Sequence, residues 1–229
     1  MALLRTLEPE VMDTEEEAQD YDAMDHAQVN ARFCDDLLAM GPRPRRVLDV
    51  GTGTALIPIE LCRRDPLVEV DAIDLAAHML ALAERNVARA SFGRRIRVAR
   101  VDAKATPWPD GAFDGVLSNS IVHHIPEPGR VLAEVWRLVR PGGILFVRDL
   151  ERPADAARVA ALLDTYAPVP EGPPQERARH QRQRALFEAS LRAALTADEV
   201  RVMVAPLGIA GDAVATTSDR HWTLACVKP

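Results

Sequence analysis

Apolar residues recur at helical spacing early in this 229-residue chain. Thr14 followed by Glu17 forms a capping-box pattern that predicts a short helix, with acids in its first turn complementing the helix dipole. Val29, Phe33, Leu37 and Leu38 predict a second helix starting near Asp25 and stopped at Gly41-Pro42. The pattern then alternates. Apolar runs at Val47–Val50, Val68–Ile73, Ile96–Val101, Phe113–Leu117 and Ile144–Val147 predict strands. Ala55–Arg64, Ala76–Ala90 and Pro128–Val139 predict helices, the last closed by Pro141-Gly142-Gly143. Five strands alternating with helices imply βαβ units, and hence a parallel sheet covered on both faces. Beyond residue 150, Ala167–Gln175 is a proline-rich loop and a basic helix follows. Thr196 and Glu199 repeat the capping box, and Val214–Thr217 with Trp222–Val227 read as an antiparallel hairpin.

The expected fold is therefore α/β: a doubly wound, Rossmann-like, mostly parallel sheet with an N-terminal helical arm and a C-terminal antiparallel hairpin. No repeat or second core divides the chain. Residues 1–229 are expected to be one domain, with an arm or lid at 1–40, a ligand-binding core at 41–150, and C-terminal helices and hairpin at 151–229.

Composition narrows the function. Apolar residues make up 48% of the chain, enough for a sizeable core, and the net charge of −6 argues against a general nucleic-acid binder. The three cysteines, Cys34, Cys62 and Cys226, form no CxxC pair or Cys/His cluster. They fit a reducing cytoplasm. No basic-then-apolar leader and no membrane-length apolar run is present.

The chemistry concentrates at strand ends. Arg46-Val47-Leu48-Asp49-Val50-Gly51-Thr52-Gly53-Thr54-Ala55 reads as a strand ending in an acid and a glycine turn opening a helix. Glycine lets backbone approach a ligand, and the helix N-terminus offers free N–H groups. A dinucleotide fingerprint wants a small residue where Leu56 stands. Asp49 would sit awkwardly beside a pyrophosphate, but it suits a cationic amine reached directly or through water. Asp74 ends the next strand, where an acid can accept both ribose hydroxyls or cap the following helix. Asp102 follows the third strand and can accept from an adenine amine, with Ala103 leaving room for the ring, or simply face water.

These ordered motifs resemble the class I S-adenosylmethionine-dependent methyltransferases, closest to their small-molecule type 11 or UbiE-like branch. Asp49-x-Gly51-x-Gly53 matches the glycine motif, with Ala55 where a third glycine is usual. Phe113–Ser120 resembles the fourth strand and Arg137–Gly143 the approach to the fifth. The resemblance implies S-adenosylmethionine as cofactor, bound by Asp49, Gly51, Gly53, Asp74, Leu75, Asp102, Ala103 and Asn119, and methyl transfer to a small molecule. No D/N-P-P-Y motif follows the fourth strand. Asn119 with Asp149 lacks the acids that hold magnesium in catechol-type enzymes, so no metal is expected. His123 and His124 fall at the mouth of the expected pocket. Either is a candidate general base, His124 ahead by analogy, or both shape the loop. Tyr21, Asp22, Met24, Asp25, His26 and Asn30 would cover the cofactor or merely brace the sheet edge. The arginines from Arg177 to Arg192 read as a solvated face, whereas Arg148 and Arg152 stand nearer the pocket. Two rivals remain: a nicotinamide dehydrogenase, against which Leu56 argues, and a cofactor-binding partner or sensor without turnover. Oligomeric state, a homodimer included, is open.

Overall fold

The computed structural model describes residues 3–9, 13–24 and 26–229. The arm comprises α1 (Glu15–Asp22) and α2 (Ala27–Leu38); Asp25 lies outside the described residues. The capping box of α1 forms as the sequence implies: the Thr14 hydroxyl accepts from the Glu17 N–H, and the Glu17 carboxylate accepts from the Thr14 N–H.

The core runs β1 (Arg46–Val50), α3 (Leu56–Arg64), β2 (Glu69–Asp74), α4 (Ala77–Arg89), β3 (Ile96–Arg100), β4 (Phe113–Asn119), α5 (Pro128–Leu138) and β5 (Val139–Leu150). After it come α6 (Ala156–Tyr166), α7 (Pro174–Ala193), α8 (Ala197–Val204), β6 (Val214–Thr216) and β7 (His221–Val227). The seven strands form one sheet in the order β3-β2-β1-β4-β5-β7-β6, the first five parallel. β7 inserts antiparallel between β5 and β6, as the hairpin pattern predicts.

Alternation within each strand distributes the core to two faces. Leu48, Val50, Val116, Leu145 and Val147 pack under α5 and α8, with Trp222 of β7 fully buried among them. Val47, Val70, Ala72, Leu117 and Ile144 face the other way, against Phe33 and Leu37 of α2, Ile59 and Leu61 of α3, and Ala83 and Val87 of α4. β5 is longer than its apolar run: it begins at Val139, shifts register across Pro141-Gly142-Gly143 and continues through Asp149. Pairing with both β4 and β7 carries its ladder past the end of the hydrophobic pattern.

Strand order reverses between β1 and β4, because β2 and β3 lie on one side of β1 and β4 to β7 on the other. A crevice outside the carboxyl ends of the strands opens at such a switch point.

Candidate active site

The crevice is a cleft enclosing about 800 Å³, lined by Gly51, Gly53, Asp74, Leu75, Asp102, Ala103, Asn119 and His124 among others. A smaller cavity of about 320 Å³ is lined by Asn30, Asp49, Thr52, Thr54, Leu56 and Ile57 and shares Tyr21, Gly51 and Asn119 with the first. Nine of the ten predicted site residues thus line one of two adjoining spaces. His123 does not.

The glycine turn is locked to the sheet. The N–H groups of Gly51 and Thr52 both donate to the Ile73 carbonyl, at 2.8 and 2.9 Å, which ties the turn to the end of β2. Gly51 has φ +73°, and a Cβ there would stand 2.0 Å from Cγ2 of Ile121. Conformation and space both require glycine at this position. Ala55 caps α3 with φ +62° and is fully buried. The turn needs a left-handed residue where this chain supplies alanine, so the departure seen in the sequence is a strained position, not a different turn.

Asp49, 2% exposed, forms no ion pair among the described residues. Burial pushes its carboxyl up to about 7; the nearby Thr52 side chain opposes this, and the charge on Asp74 adds to it. The Thr54 hydroxyl, also buried, has no hydrogen-bond partner. A buried acid and an unpartnered hydroxyl beside the first turn of α3 fit a ligand that carries both an ammonium and a carboxylate.

Asp74 does not cap α4, whose N-cap is Ala76 without a side-chain hydrogen bond; it braces the turn before that helix. Its carboxylate accepts from the N–H of Ala76 and of Gly53, each at 2.9 Å. Burial raises its pKa, and these backbone bonds oppose the rise. It also lines the cleft. Asp102 is half-exposed, accepts from the Lys104 N–H at 2.8 Å and pairs with its ammonium at 3.1 Å. Burial opposes its ionisation, and the Lys104 bonds outweigh this and hold its pKa below the usual range.

The arm reaches the site. Tyr21 lines both cavities, stacks on His26 with ring centroids 4.7 Å apart, and lies over Gly53. Burial pushes its phenol up to about 12, helped by Asp74 and Asp49. Asp22 accepts from the Asn86 amide of α4 at 2.9 Å.

The two histidines part company. His124 lines the cleft; burial and the neighbouring His123 push its pKa down to about 3. His123 is buried behind it. Its Nδ1 stands 2.5 Å from Oδ1 of Asp149, whose Oδ2 accepts the His123 backbone N–H at 3.1 Å. Burial disfavours the imidazolium, but the Asp149 charge and hydrogen bond outweigh it and raise the pKa.

Other expectations are corrected. Arg148 is buried, donates to Asp36 at 2.8 Å and to Thr223 at 2.9 Å, and does not line the cleft. Arg152 is spent on Glu199 at 2.6 Å and the Ala194 carbonyl. The arginines of α7 are mostly the solvated face expected, but Arg182 pairs with Asp20 at 3.0 Å and so fastens the arm.

Ser120 and Ile121 are among the lining residues that the sequence did not single out. Ser120, with φ +59°, is a strained non-glycine turn at the end of β4. Ile121 has its side chain over Gly51. Glu8 lines neither cavity but reaches His123 and His124, and no local pattern marks it.

Known proteins resemble this chain in sequence and in fold. Residues 48–147 match the family described as methyltransferase domain. A demethylmenaquinone methyltransferase of Thermus thermophilus is 37% identical over 120 residues, covering 52% of this chain and 54% of the relative. The chain thus matches about half the length of that relative. Among solved structures, a SAM-dependent methyltransferase from Aquifex aeolicus superposes with a TM-score of 0.64 at 19% identity, covering 93% of this chain and 97% of that one. The [4+2]-cyclase SpnF superposes with a TM-score of 0.60 at 19% identity over 99% and 98% of the two chains. These structures share the fold.

Proposed function

We propose that this chain, which over residues 48–147 carries a methyltransferase domain of the class I S-adenosylmethionine-dependent kind in its type 11, UbiE-like branch, transfers a methyl group to a small-molecule acceptor. The observation that carries the reading is Asp49, a buried acid that lines the smaller cavity and has no cationic partner among the described residues. Fold alone would not suffice, because function lives in the site.

The residues fit S-adenosylmethionine, which when bound supplies a sulfonium methyl ready for displacement. Asp49 takes the ammonium in the smaller cavity, and the Thr54 hydroxyl and the first-turn N–H groups of α3 take the carboxylate. Asp74 accepts the ribose hydroxyls with the oxygen capacity left by Gly53 and Ala76. Leu75, Met79 and Ala103 wall the space for the base, and Asp102 stands at its edge to accept from the adenine amine. Asn119 sits where the cavities meet. Tyr21 and the arm close over the ligand and exclude water.

The acceptor side of the cleft is formed by Tyr21, Ser120, Ile121, His124 and Ile125, whose isoleucines and ring faces supply apolar surface beside two hydroxyls and an imidazole. It suits a small, mostly apolar molecule. Alignment of nucleophile, methyl and leaving sulfur supplies much of the rate. His124 presents its imidazole to the acceptor, and His123, held by Asp149, positions that loop. No helix among the described residues is long and apolar enough to cross a membrane. The cysteines are free thiols, which accords with the reducing cytoplasm we assign.

Calorimetry with S-adenosylhomocysteine and with NAD tests the cofactor; binding of NAD alone would overturn the assignment. Release of S-adenosylhomocysteine in the presence of quinols, phenols, amines and carboxylic acids tests turnover. Cofactor binding with no release against any acceptor class would instead favour a partner or sensor protein.

A further inference from the structure

Residues 3–9 form an extended strap along the loop between β4 and α5. Arg5 donates to the Ala193 carbonyl at 2.7 Å and to the carbonyls of His123 and Ile125, each at 3.1 Å. The Thr6 N–H donates to the Arg192 carbonyl at 2.9 Å. So anchored, the strap delivers Glu8 to the two histidines. The second oxygen of Glu8 receives the Ser190 hydroxyl at 3.5 Å, and its first oxygen, Oε1, lies 3.5 Å from Nε2 of His123 and 3.2 Å from Nδ1 of His124.

None of these three atoms has a hydrogen-bond partner, although all are buried. The side chains of Glu8, His123 and His124 are 8%, 2% and 16% exposed. An unsatisfied buried polar atom is costly, and three that face one another call for a common partner.

We propose that Glu8, His123 and His124 bind one divalent transition-metal ion, zinc or an ion of similar preference. Two imidazole nitrogens and a carboxylate oxygen are a zinc-type donor set, whereas magnesium and calcium prefer oxygen alone. Bonds of about 2.0–2.2 Å at tetrahedral angles place neighbouring donors roughly 3.4 Å apart. The two separations to Glu8 bracket that value, and all three donor atoms lie within 4.8 Å of one another. Asp149 completes the arrangement from behind. By accepting from Nδ1 of His123 at 2.5 Å it leaves Nε2 to face the ion, as carboxylates do for metal-bound histidines. Any proton on Nε2 leaves to solvent as the ion enters.

Three protein ligands leave a position open. The donor atoms are buried, and His124 also lines the cleft, so its ring links the ion to the cleft wall while the open position takes a water or a small oxygen or nitrogen ligand. The site does not depend on the methyl-transfer reading, and its test uses no turnover.

The purified chain, stripped with a chelator, is titrated with Co²⁺ and then Zn²⁺, followed by calorimetry and by the visible absorption of the cobalt form. One equivalent of Co²⁺ with a four- or five-coordinate spectrum, displaced by Zn²⁺, is expected. Glu8→Gln, nearly isosteric, and His124→Ala each weaken binding at least tenfold. Asp149→Asn weakens it about 10–100-fold. Circular dichroism of each metal-free variant checks that it is folded; should His124→Ala fail to fold, Glu8→Gln alone decides. Absence of stoichiometric uptake, or uptake unchanged in Glu8→Gln, overturns the proposal and leaves Glu8 as a plain buried partner of the histidines.

Discussion

Replacing Asp49 by asparagine should stabilise the unliganded protein at alkaline pH while weakening its cofactor binding, and both effects can be sized. The carboxyl moves from its ordinary 3.8 to about 7, chiefly through burial. That gap is about three pH units, each worth about 1.36 kcal/mol, so the folded protein carries a penalty approaching about 4 kcal/mol once the group is ionised in both states. The sign follows from the raised folded pKa. The fold prefers neutral Asp49, so the group weighs little below pH 4, and stability is lost progressively as pH rises from 3.8 to about 7. Asparagine is free of this loss, although its buried amide carries a pH-independent cost of about 1–3 kcal/mol. That constant cancels when Asp49→Asn and wild type are compared at two pH values by urea unfolding. Between pH 4 and pH 8 the difference should swing by roughly 3 kcal/mol in favour of the variant. S-adenosylhomocysteine should bind the variant roughly 10–150-fold more weakly at pH 8, the equivalent of one charge-assisted hydrogen bond of about 1.5–3 kcal/mol. A stability difference that stays flat with pH, or an unchanged affinity, refutes the assignment of Asp49 to the ammonium.

Three further substitutions probe the same turn and its surroundings. Gly51→Ala drives a methyl into Ile121 at φ +73°; it should abolish cofactor binding and lower stability by about 1–3 kcal/mol, with Ile121→Ala in the double variant recovering part of the stability loss in urea unfolding. A larger residue at this glycine therefore shifts the β4–α5 loop as well as filling ligand space. Asp74→Asn keeps one acceptor oxygen for its two backbone donors, so calorimetry should show an affinity loss of about tenfold or more while the melting temperature moves by only a few degrees. Ala55→Gly relieves a left-handed alanine at about 1–2 kcal/mol but surrenders a buried methyl worth about 0.8 kcal/mol and adds freedom to the unfolded chain; the terms nearly cancel, and a measured change above about 2 kcal/mol in either direction would mean that the turn relaxes.

How much was legible in the sequence depended on the range of the interactions. The strands and helices between residues 46 and 138 follow from apolar periodicity, because each buries a face of its own. The acids at strand ends were legible for the same reason: a strand fixes where its last residue points. β5 was underestimated, since its ends are apolar only in part and are held by partners that come later in the chain. Arg148 and Arg152 were placed near the pocket by sequence proximity to Asp149. Side chains alternate across a strand, however, and Arg148 leaves on the face where Asp36 and the rings of Phe33 and Phe146 receive it. Glu8 was not legible, because nothing local relates it to His123 and His124. Only the strap anchored by Arg5 brings it there.

Several places where this chain departs from the lowest-energy choice lie around the cleft. Ala55 and Ser120 hold left-handed backbone there, as Ser91 does away from it, Asp49 is buried without a counter-charge among the described residues, and Glu8 and the two histidines leave lone pairs unmet. Elsewhere the acids are handled conventionally: Asp114 accepts two backbone N–H groups and Arg140, and Glu134 is held by Arg137 and Thr106. A sequence that satisfies its polar groups so consistently at the opposite end of the sheet has no difficulty in finding partners. Glu151 Oε2 and Trp222 Nε1 are also buried without a partner and line neither cavity, so a single unmet atom says little; where several face one space they indicate a partner supplied from outside the chain, and their chemistry states what it carries. Near Asp49 and Thr54 the missing partner is a cation joined to a hydrogen-bonding acid; near Glu8 it is a small, doubly charged Lewis acid.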